Sequence, residues 1–382
     1  MVRYSIVALC ALCLFGWQAA TVAVNFDGNW TALYCTGDRL RTPPQLESEN
    51  IYTFPETEGF DGQFYHYIAH EPLPGELAPY VEAGRLRYRR ILLPATAWLL
   101  SFGQQRWVDA AYIGAGFLFL LLGMWWTGNI GSELGLRAGW ALLFVAVPAS
   151  LIFVDRLTVD HVLAALAAGF AWYAGRPPSW RLYVVLALAP LAREIGLLLI
   201  AAYCLSCVAR KEYRTAAVFS TAALPGLAWI GWLASAIGSD SYPTTLVPFK
   251  GLLNYLFHPI SYPSDVPLEA IVQTGDALAL LGMLLAIVLA VWLFWSRRFE
   301  PVAVAAVLFA GLAVFVQRWD VWQTVYNYGR IFSPLLLLVA IGWLPHRRWL
   351  GALPLAMVAP RVLMQFGRQA TGVAGALFGF DS

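Results

Sequence analysis

Long apolar runs separated by short polar segments dominate the sequence. They cover roughly residues 4–24, 107–127, 138–154, 161–175, 181–192, 195–209, 215–238, 277–296, 301–317, 330–344 and 349–364. A helix needs about 20 apolar residues to cross the hydrocarbon core of a bilayer. The pattern therefore predicts an all-α, polytopic integral membrane protein with about 11 transmembrane helices, some of them short.

A further apolar run, 91–103, is too short to cross comfortably and directly follows Arg89 and Arg90. We expect it to form a juxtamembrane helix, lying at the membrane surface or partly re-entrant. Lys and Arg concentrate in the cytoplasmic loops of membrane proteins. With the N-terminus inside, this rule places nearly all the short basic loops on one side, namely 128–137, 176–181, 210–214, 297–300 and 345–348.

The whole chain, 1–382, is then a single integral membrane domain. Its parts are a first transmembrane helix (4–24), an extracytoplasmic loop with juxtamembrane helices (25–106), transmembrane helices (107–238), a second extracytoplasmic loop (239–275) and C-terminal transmembrane helices (276–382). The first helix also fits a signal peptide, because Arg3 precedes the apolar run and Ala19 and Ala20 are small enough for cleavage. Both interpretations put the following loop outside the cytoplasm.

Composition narrows the class of protein further. Of the 382 residues, 59% are hydrophobic and 13% are charged, whereas soluble domains carry about 25% charged residues. This excludes an ordinary soluble globule, and the apolar content excludes a disordered chain. The apolar content makes the lipid bilayer the expected partner. The net charge of +2 provides no broad basic surface, so we expect no nucleic acid as a partner.

Five groups of charged residues fall at one membrane face on this topology. They are Asp61 with its neighbours, 85–90, Asp155 with Asp160, Arg193 with Glu194, and 320–330. Ionisable residues at the ends of apolar helices are costly to keep and mark functional sites. We therefore expect the five groups to meet in one cavity that faces away from the cytoplasm.

Asp61 is the strongest candidate for a reactive group. Phe64, Tyr67 and Ile68 follow it at helical spacing, which predicts an amphipathic surface helix with Asp61 at its N-terminus. The helix dipole stabilises a carboxylate there as the anion. Asp61 would either cap the helix or face a cavity as a general base or a metal ligand.

The other charged groups also have two interpretations each. Asp155 and Asp160 either occupy a solvated turn, with Asp160 capping the next helix, or share a site. Arg193 and Glu194 either form an internal salt bridge or leave Arg193 to bind a phosphate through its fork of donors. Arg330 either reaches a lipid phosphate at the membrane surface or binds the phosphate of a lipid-linked substrate.

Several of these segments are similar to motifs of the C-type (GT-C) membrane glycosyltransferases. The stretch 60–69 (FDGQFYHYIA) resembles the Trp-Asp-x-x-aromatic-aromatic-x-x-Ile-Ala stretch of the GPI-mannosyltransferase-like branch, with Phe60 in place of the usual Trp. The run 90–94 (RILLP) and the stretch 192–196 (AREIG) are similar to segments of the protein-mannosyltransferase and aminoarabinose-transferase branch. The chain also resembles bacterial membrane proteins of cell-surface glycopolymer formation.

The resemblance implies a glycosyltransferase of the inverting type that moves a sugar from a polyprenyl-phosphate donor to a glycan or lipid acceptor. It would work in the bacterial inner membrane, at the face toward the periplasm or exterior. The alternatives are a transporter or flippase of a lipid-linked saccharide and a non-catalytic protein of envelope assembly. Transporters often have two matching halves, and the sequence contains no such repeat.

The resemblance also implies residue roles. Asp61 would be catalytic, and the residues expected to bind substrate are Gln63, Tyr65, His66, Arg89, Arg90, Asp155, Asp160, Arg193, Glu194 and Arg330. A divalent cation, Mg²⁺ or Mn²⁺, would be held by Asp61, Asp155 and Asp160 if one binds. The first loop lacks the family's adjacent acidic pair, which leaves metal dependence open. A zinc site is not expected, because His66, His70 and His258 show no ligand spacing.

Overall fold

The computed structural model describes residues 2–237, 247–257, 266–346 and 348–379, which are almost entirely helical. The helices are α1 Val2–Asn25, α2 Gly62–His70, α3 Gly84–Tyr88, α4 Leu92–Leu100, α5 Val108–Glu133, α6 Pro148–Arg156, α7 Asp160–Ala174, α8 Trp180–Ala192, α9 Leu197–Ala209, α10 Tyr213–Ser220, α11 Leu224–Ala236, α12 Lys250–Phe257, α13 Val266–Ser296, α14 Pro301–Phe315, α15 Trp319–Gln323, α16 Val325–Ile331, α17 Ser333–Trp343, α18 Arg348–Leu363 and α19 Gly367–Phe378. Two short strands, β1 Thr36–Gly37 and β2 Thr53–Phe54, pair in parallel.

Five helical segments of the described chain are long and apolar enough to cross a membrane. They are Ser5–Asn25, Gln105–Glu133, Tyr213–Ala236, Glu269–Ser296 and Trp349–Phe378. The number rises to seven if two bent pairs, Ala138–Phe144 with Pro148–Arg156 and Val325–Ile331 with Ser333–Trp343, each form one span. These features are consistent with a helical membrane protein. The finer prediction of about 11 spans is not confirmed.

The lower number has a structural cause. Predicted spans such as 161–175 and 301–317 correspond to helices of only 15 residues, α7 and α14. At about 1.5 Å per residue, such helices are shorter than a 30 Å hydrocarbon core. Helices of this length are therefore not among the five to seven candidate spans.

The chain breaks between α8 and α9, as the sequence predicted. Pro190 lies inside α8 and has no N–H to donate within the helix. Arg193 then adopts an extended backbone (φ −165°, ψ 141°) before the 3-10 turn Glu194–Gly196. Gly196 passes so close to the preceding helix that a Cβ atom there would lie 2.2 Å from the Ala189 carbonyl oxygen.

The helix after Asp61 is not the surface helix that its apolar spacing predicted. Every residue of α2 is buried, because α2 packs against α4, α5 and the 3-10 helix Trp30–Tyr34. Its polar face is therefore enclosed by protein and not exposed to water. The apolar spacing was correct, but the inference that the opposite face is solvated was wrong.

Both ends of the chain join the same bundle. Helix α1 packs against α5 and α19, and the Gln18 amide donates a 2.8 Å hydrogen bond to the Val154 carbonyl. Helix α19 was not predicted, since the last apolar run ends at residue 364.

Part of the predicted loop 239–275 is also helical, as α12 and the start of α13. His258 lies outside the described residues.

Gly62, at the start of α2, allows the close approach that places Asp61. A Cβ atom at this position would lie 2.5 Å from the Arg156 carbonyl oxygen and 2.7 Å from that of Tyr34. We predict that Gly62→Ala lowers the unfolding free energy by about 1–3 kcal/mol, the usual cost of overpacking. Thermal unfolding in detergent measures the effect. Gly16→Ala is the control, since Gly16 has no atoms within 4 Å of an added Cβ; equal effects would contradict the prediction.

Candidate functional site

A charged cavity of about 510 Å³ lies where the first loop meets the membrane helices. Its walls come from the start of α2, from α3, from the break between α8 and α9, and from α15 and α16. The charged residues that line it are Glu58, Asp61, Glu82, Arg87, Arg90, Arg193, Arg318, Asp320 and Arg330. Four of the five charged groups expected to meet are thus represented directly in its wall.

Asp61 is the centre of this cavity and is held by two arginines. Arg87 donates from Nη2 to Oδ1 at 2.9 Å, and Arg330 contacts Oδ2. Burial alone would raise the pKa of Asp61, but Arg330, Arg87 and Arg90 outweigh it and hold the pKa well below its usual range. The side chain makes no capping bond to α2. Asp61 therefore does not cap the helix, and its carboxylate faces a cavity, the second of the two predicted alternatives.

A second buried carboxylate lies behind the first. Asp160, at the start of α7, contacts Arg193 and lies 3.5 Å from Nη1 of Arg330. Its side chain does not cap α7. Arg330 therefore bridges Asp61 and Asp160, and two acids from distant parts of the chain share one guanidinium.

Arg90 forms the floor of the cavity beside these pairs. It is 6% exposed, donates to the Tyr65 hydroxyl at 2.9 Å and lies 3.7 Å from the Glu194 carboxylate. In the described part of the chain the ion pairs join Glu194 to Arg90 and Arg193 to Asp160. The predicted alternative of an internal pair between Arg193 and Glu194 is not what forms.

Several buried guanidinium nitrogens lack a hydrogen-bond acceptor, and those of Arg193 and Arg330 are among them. The Nε atoms of Arg193 and Arg330 have no hydrogen-bond partner among the described residues, although both side chains are less than a tenth exposed. A buried donor without an acceptor costs about 1–3 kcal/mol, and more when it is charged. The cavity wall therefore offers cationic donors to a further anionic group.

Phe60 separates this cavity from a second one. Its ring centre lies 4.8 Å from the guanidinium of Arg330 and 4.6 Å from that of Arg156. Gly59 and Phe60 line both cavities, and the second has a volume of about 670 Å³. Phe60, together with Gly59, is thus the wall between the two cavities.

Asp155 belongs to the second cavity, which corrects the expectation that it shares a site with Asp160. It pairs with Arg156 at 2.9 Å and accepts from the Gln369 amide at 2.5 Å. Leu157, in the left-handed conformation, ends α6 between the two acids and directs them apart. The predicted metal set of Asp61, Asp155 and Asp160 is therefore split between the chambers.

Among the other predicted substrate-binding residues, Gln63 lines the charged cavity, whereas His66 and Arg89 do not. The Gln63 amide donates to the Glu58 carbonyl at 2.7 Å and accepts from the Gly37 N–H, so it fixes the loop to α2. His66 faces away from Asp61 and lies 2.9 Å from Asp109.

Arg87 was predicted at the cavity only as part of the group 85–90 and not as a substrate-binding residue, although it makes the 2.9 Å contact to Asp61. Its guanidinium also stacks 3.8 Å from the centre of the Phe64 ring. The sequence contained one usable signal, the spacing of arginines in 85–90. The segment contains four arginines that its composition does not distinguish, and the path of α3 selects Arg87.

Searches of protein-family models, of curated proteins and of solved structures find no match to this chain.

Removing the Asp61 charge should destabilise the fold in a pH-dependent way. Asp61→Asn leaves Arg330 to Asp160 and Arg87 to the exposed Glu82, and removal of one partner of a buried pair typically costs about 3–5 kcal/mol. Because the folded-state pKa is depressed, this contribution is present above the unfolded pKa of about 3.9 and is lost as the pH falls. Unfolding of wild type and variant from pH 8 to pH 3 should show a constant difference that shrinks below about pH 4.

Asp320→Asn is the matched control for this experiment. Asp320 pairs with Arg318 at the mouth of the cavity, but its side chain is 44% exposed. Exposed pairs contribute about 0–1 kcal/mol. A loss at Asp61→Asn no larger than at Asp320→Asn would contradict the buried-pair account.

Proposed function

We propose that this protein is an inverting glycosyltransferase of the C-type class that uses a polyprenyl-phosphate sugar as donor. The observation that carries the proposal is the carboxylate of Asp61, held in a cavity by arginines that also have free donors. A carboxylate and a phosphate-binding surface within one cavity are the two parts that such a transfer requires.

The donor phosphate would bind to Arg193 and Arg330. Both side chains are buried, and both have an Nε donor without a protein acceptor. A planar guanidinium matches phosphate oxygens in a bidentate way. Because the apolar helices α8, α9 and α17 adjoin these arginines along the chain, the hydrocarbon tail of the lipid would remain in the bilayer while its headgroup enters the cavity.

Asp61 would act as the general base. The acceptor oxygen forms a bond to the anomeric carbon, and its proton moves to the Asp61 carboxylate. The bond from the anomeric carbon to the phosphate oxygen breaks, and its electron pair stays on the phosphate, where the arginines stabilise the growing charge. Attack opposite to the leaving group inverts the anomeric centre.

Donor binding would also change the basicity of Asp61. In the described structure the pKa of Asp61 is depressed by its arginines, which makes the carboxylate a weak base. A phosphate that draws Arg330 toward itself weakens this effect. Asp61 therefore becomes a stronger base only when the sugar donor is bound.

The proposed location is the bacterial inner membrane, with the cavity toward the periplasm or exterior. Its support is the distribution of Lys and Arg among the short loops, which puts the 25–106 loop outside. The acceptor would be a glycan or lipid of the cell surface. Loss of a sugar from its lipid carrier on this side fits cell-surface glycopolymer assembly.

Sugar transfer by purified protein in lipid nanodiscs tests the proposal. With a set of polyprenyl-phosphate sugars and extracted envelope glycans, we expect labelled sugar to move to an acceptor. Asp61→Asn should lower the rate by about 10²–10⁴-fold, the usual contribution of a general base. Asp38→Asn, an exposed acid of the same loop, should leave it unchanged.

Three results would contradict the proposal. Full transfer activity of Asp61→Asn would remove Asp61 from the mechanism. Movement of intact lipid-linked saccharide between leaflets, without any new glycosidic bond, would favour a transporter or flippase instead. Neither transfer nor movement with any donor of the set would favour a non-catalytic role in envelope assembly.

Phosphate recognition has a separate test that requires no chemistry. Arg330→Gln should weaken binding of a short polyprenyl phosphate by about 10–100-fold, since a charge-assisted hydrogen bond contributes about 1.5–3 kcal/mol. Arg318→Gln, which alters an exposed pair at the same cavity, should change binding less than threefold. Calorimetric titration of both variants in detergent measures this, and equal affinities would contradict the assignment.

A further inference from the structure

A second group of ionisable side chains lies on the other side of α2, away from the charged cavity. His66 and His70 are four residues apart, which places them on the same face of the helix. Asp109, in the first turn of α5, faces both of them. The three side chains offer ligand atoms that all lie within 4.8 Å of one another.

The two distances from Asp109 to the histidines are close to those between the ligands of one metal ion. Oδ1 of Asp109 lies 2.9 Å from Nε2 of His66 and 3.5 Å from Nε2 of His70. Zinc binds nitrogen and oxygen ligands at about 2.0–2.2 Å, so two tetrahedral ligands lie about 3.4 Å apart. Little movement of the side chains would be required.

The Nε2 atoms of both histidines face the same carboxylate oxygen of Asp109, so a shared ion would lie among the three side chains. Apart from Asp109, neither Nε2 atom has a polar partner among the described residues. Both imidazoles are buried, with side chains at most 1% exposed. Buried polar atoms are normally satisfied, and here the available partners are the Asp109 carboxylate or a bound cation.

Gln105 fixes the protonation of His70 in the orientation that a metal needs. Its amide nitrogen donates to the His70 carbonyl at 3.3 Å, so its oxygen is the atom 2.5 Å from Nδ1 of His70. Nδ1 therefore carries the proton, and Nε2 of the neutral ring offers a lone pair. Such a second hydrogen bond is typical of metal-binding histidines.

Tyr34 supports the remaining two ligands. Its ring stacks on His66, with centres 4.1 Å apart and planes 11° apart. Its hydroxyl donates to Oδ1 of Asp109 at 3.1 Å. Asp109 is 22% exposed and lines a groove beside α1 and α5.

We propose that His66, His70 and Asp109 bind a divalent transition-metal ion, with Zn²⁺ as the occupant that two imidazoles and one carboxylate suit best. The ion would join α2 to α5. Because Asp61 directly precedes α2, an ion that fixes α2 would also fix the position of Asp61. The proposal is independent of the glycosyltransferase assignment and of the Mg²⁺ or Mn²⁺ set expected from the sequence.

Metal stoichiometry of the full-length protein tests the site. Protein in detergent is stripped with a chelator, dialysed against Zn²⁺, and measured by mass spectrometry of the metal. We expect one Zn²⁺ per chain in the wild type and at least a tenfold weaker affinity in His70→Ala and in Asp109→Asn. His346→Ala is the control, because His346 is exposed and distant in sequence, and it should bind as the wild type does.

Cobalt substitution keeps the test decisive if those variants fail to fold. Co²⁺ added to stripped wild type should give the intense visible bands of a four-coordinate nitrogen and oxygen site. Weak six-coordinate bands, or the thiolate charge-transfer band of cysteine ligands, would overturn the proposal. So would the absence of bound Zn²⁺ in the wild type, or unchanged affinity in His70→Ala; these results would leave a histidine–carboxylate ion pair.

Discussion

Neutralisation of buried charge is the constraint on which the architecture depends. Arg330 and Arg193 are almost completely buried at the ends of apolar helices, where an unpaired charge costs several kcal/mol. Asp61 and Asp160 compensate them, and each acid comes from a different part of the chain from its arginine. The polar loop is thereby attached to the membrane helices through ion pairs, while apolar packing holds the helices to one another.

The helical elements were largely predictable from the sequence because apolar periodicity is a local property. The break at Arg193, flanked by α8 and α9, followed from two opposite charges between short apolar runs. Helix α19 was missed, since its Arg368 and Gln369 interrupt the apolar pattern. The number of complete spans was also not predictable, because bends such as the 56° turn between α16 and α17 arise from packing.

The site was predictable to a lesser degree. The assignment of charged residues to one membrane face correctly predicted that Asp61, Arg193 and Arg330 share one cavity. It could not predict which way each side chain points. Asp155 is only five residues from Asp160 and still faces another chamber, because Leu157 turns the backbone between them. The expectation of no zinc site overlooked that His66 and His70, four residues apart, share one face of α2, and their third partner, Asp109, becomes adjacent only through the packing of α2 on α5.

The ion pair between Asp61 and Arg330 also has a consequence for the order of assembly. Its partners are separated by 269 positions, so the acid leaves the ribosome long before its arginine is made. At about 5–20 residues per second, the interval is on the order of tens of seconds. During that time the loop leaves the ribosome while the Asp61 carboxylate still lacks Arg330. The cavity is completed only when the last third of the polypeptide has been inserted.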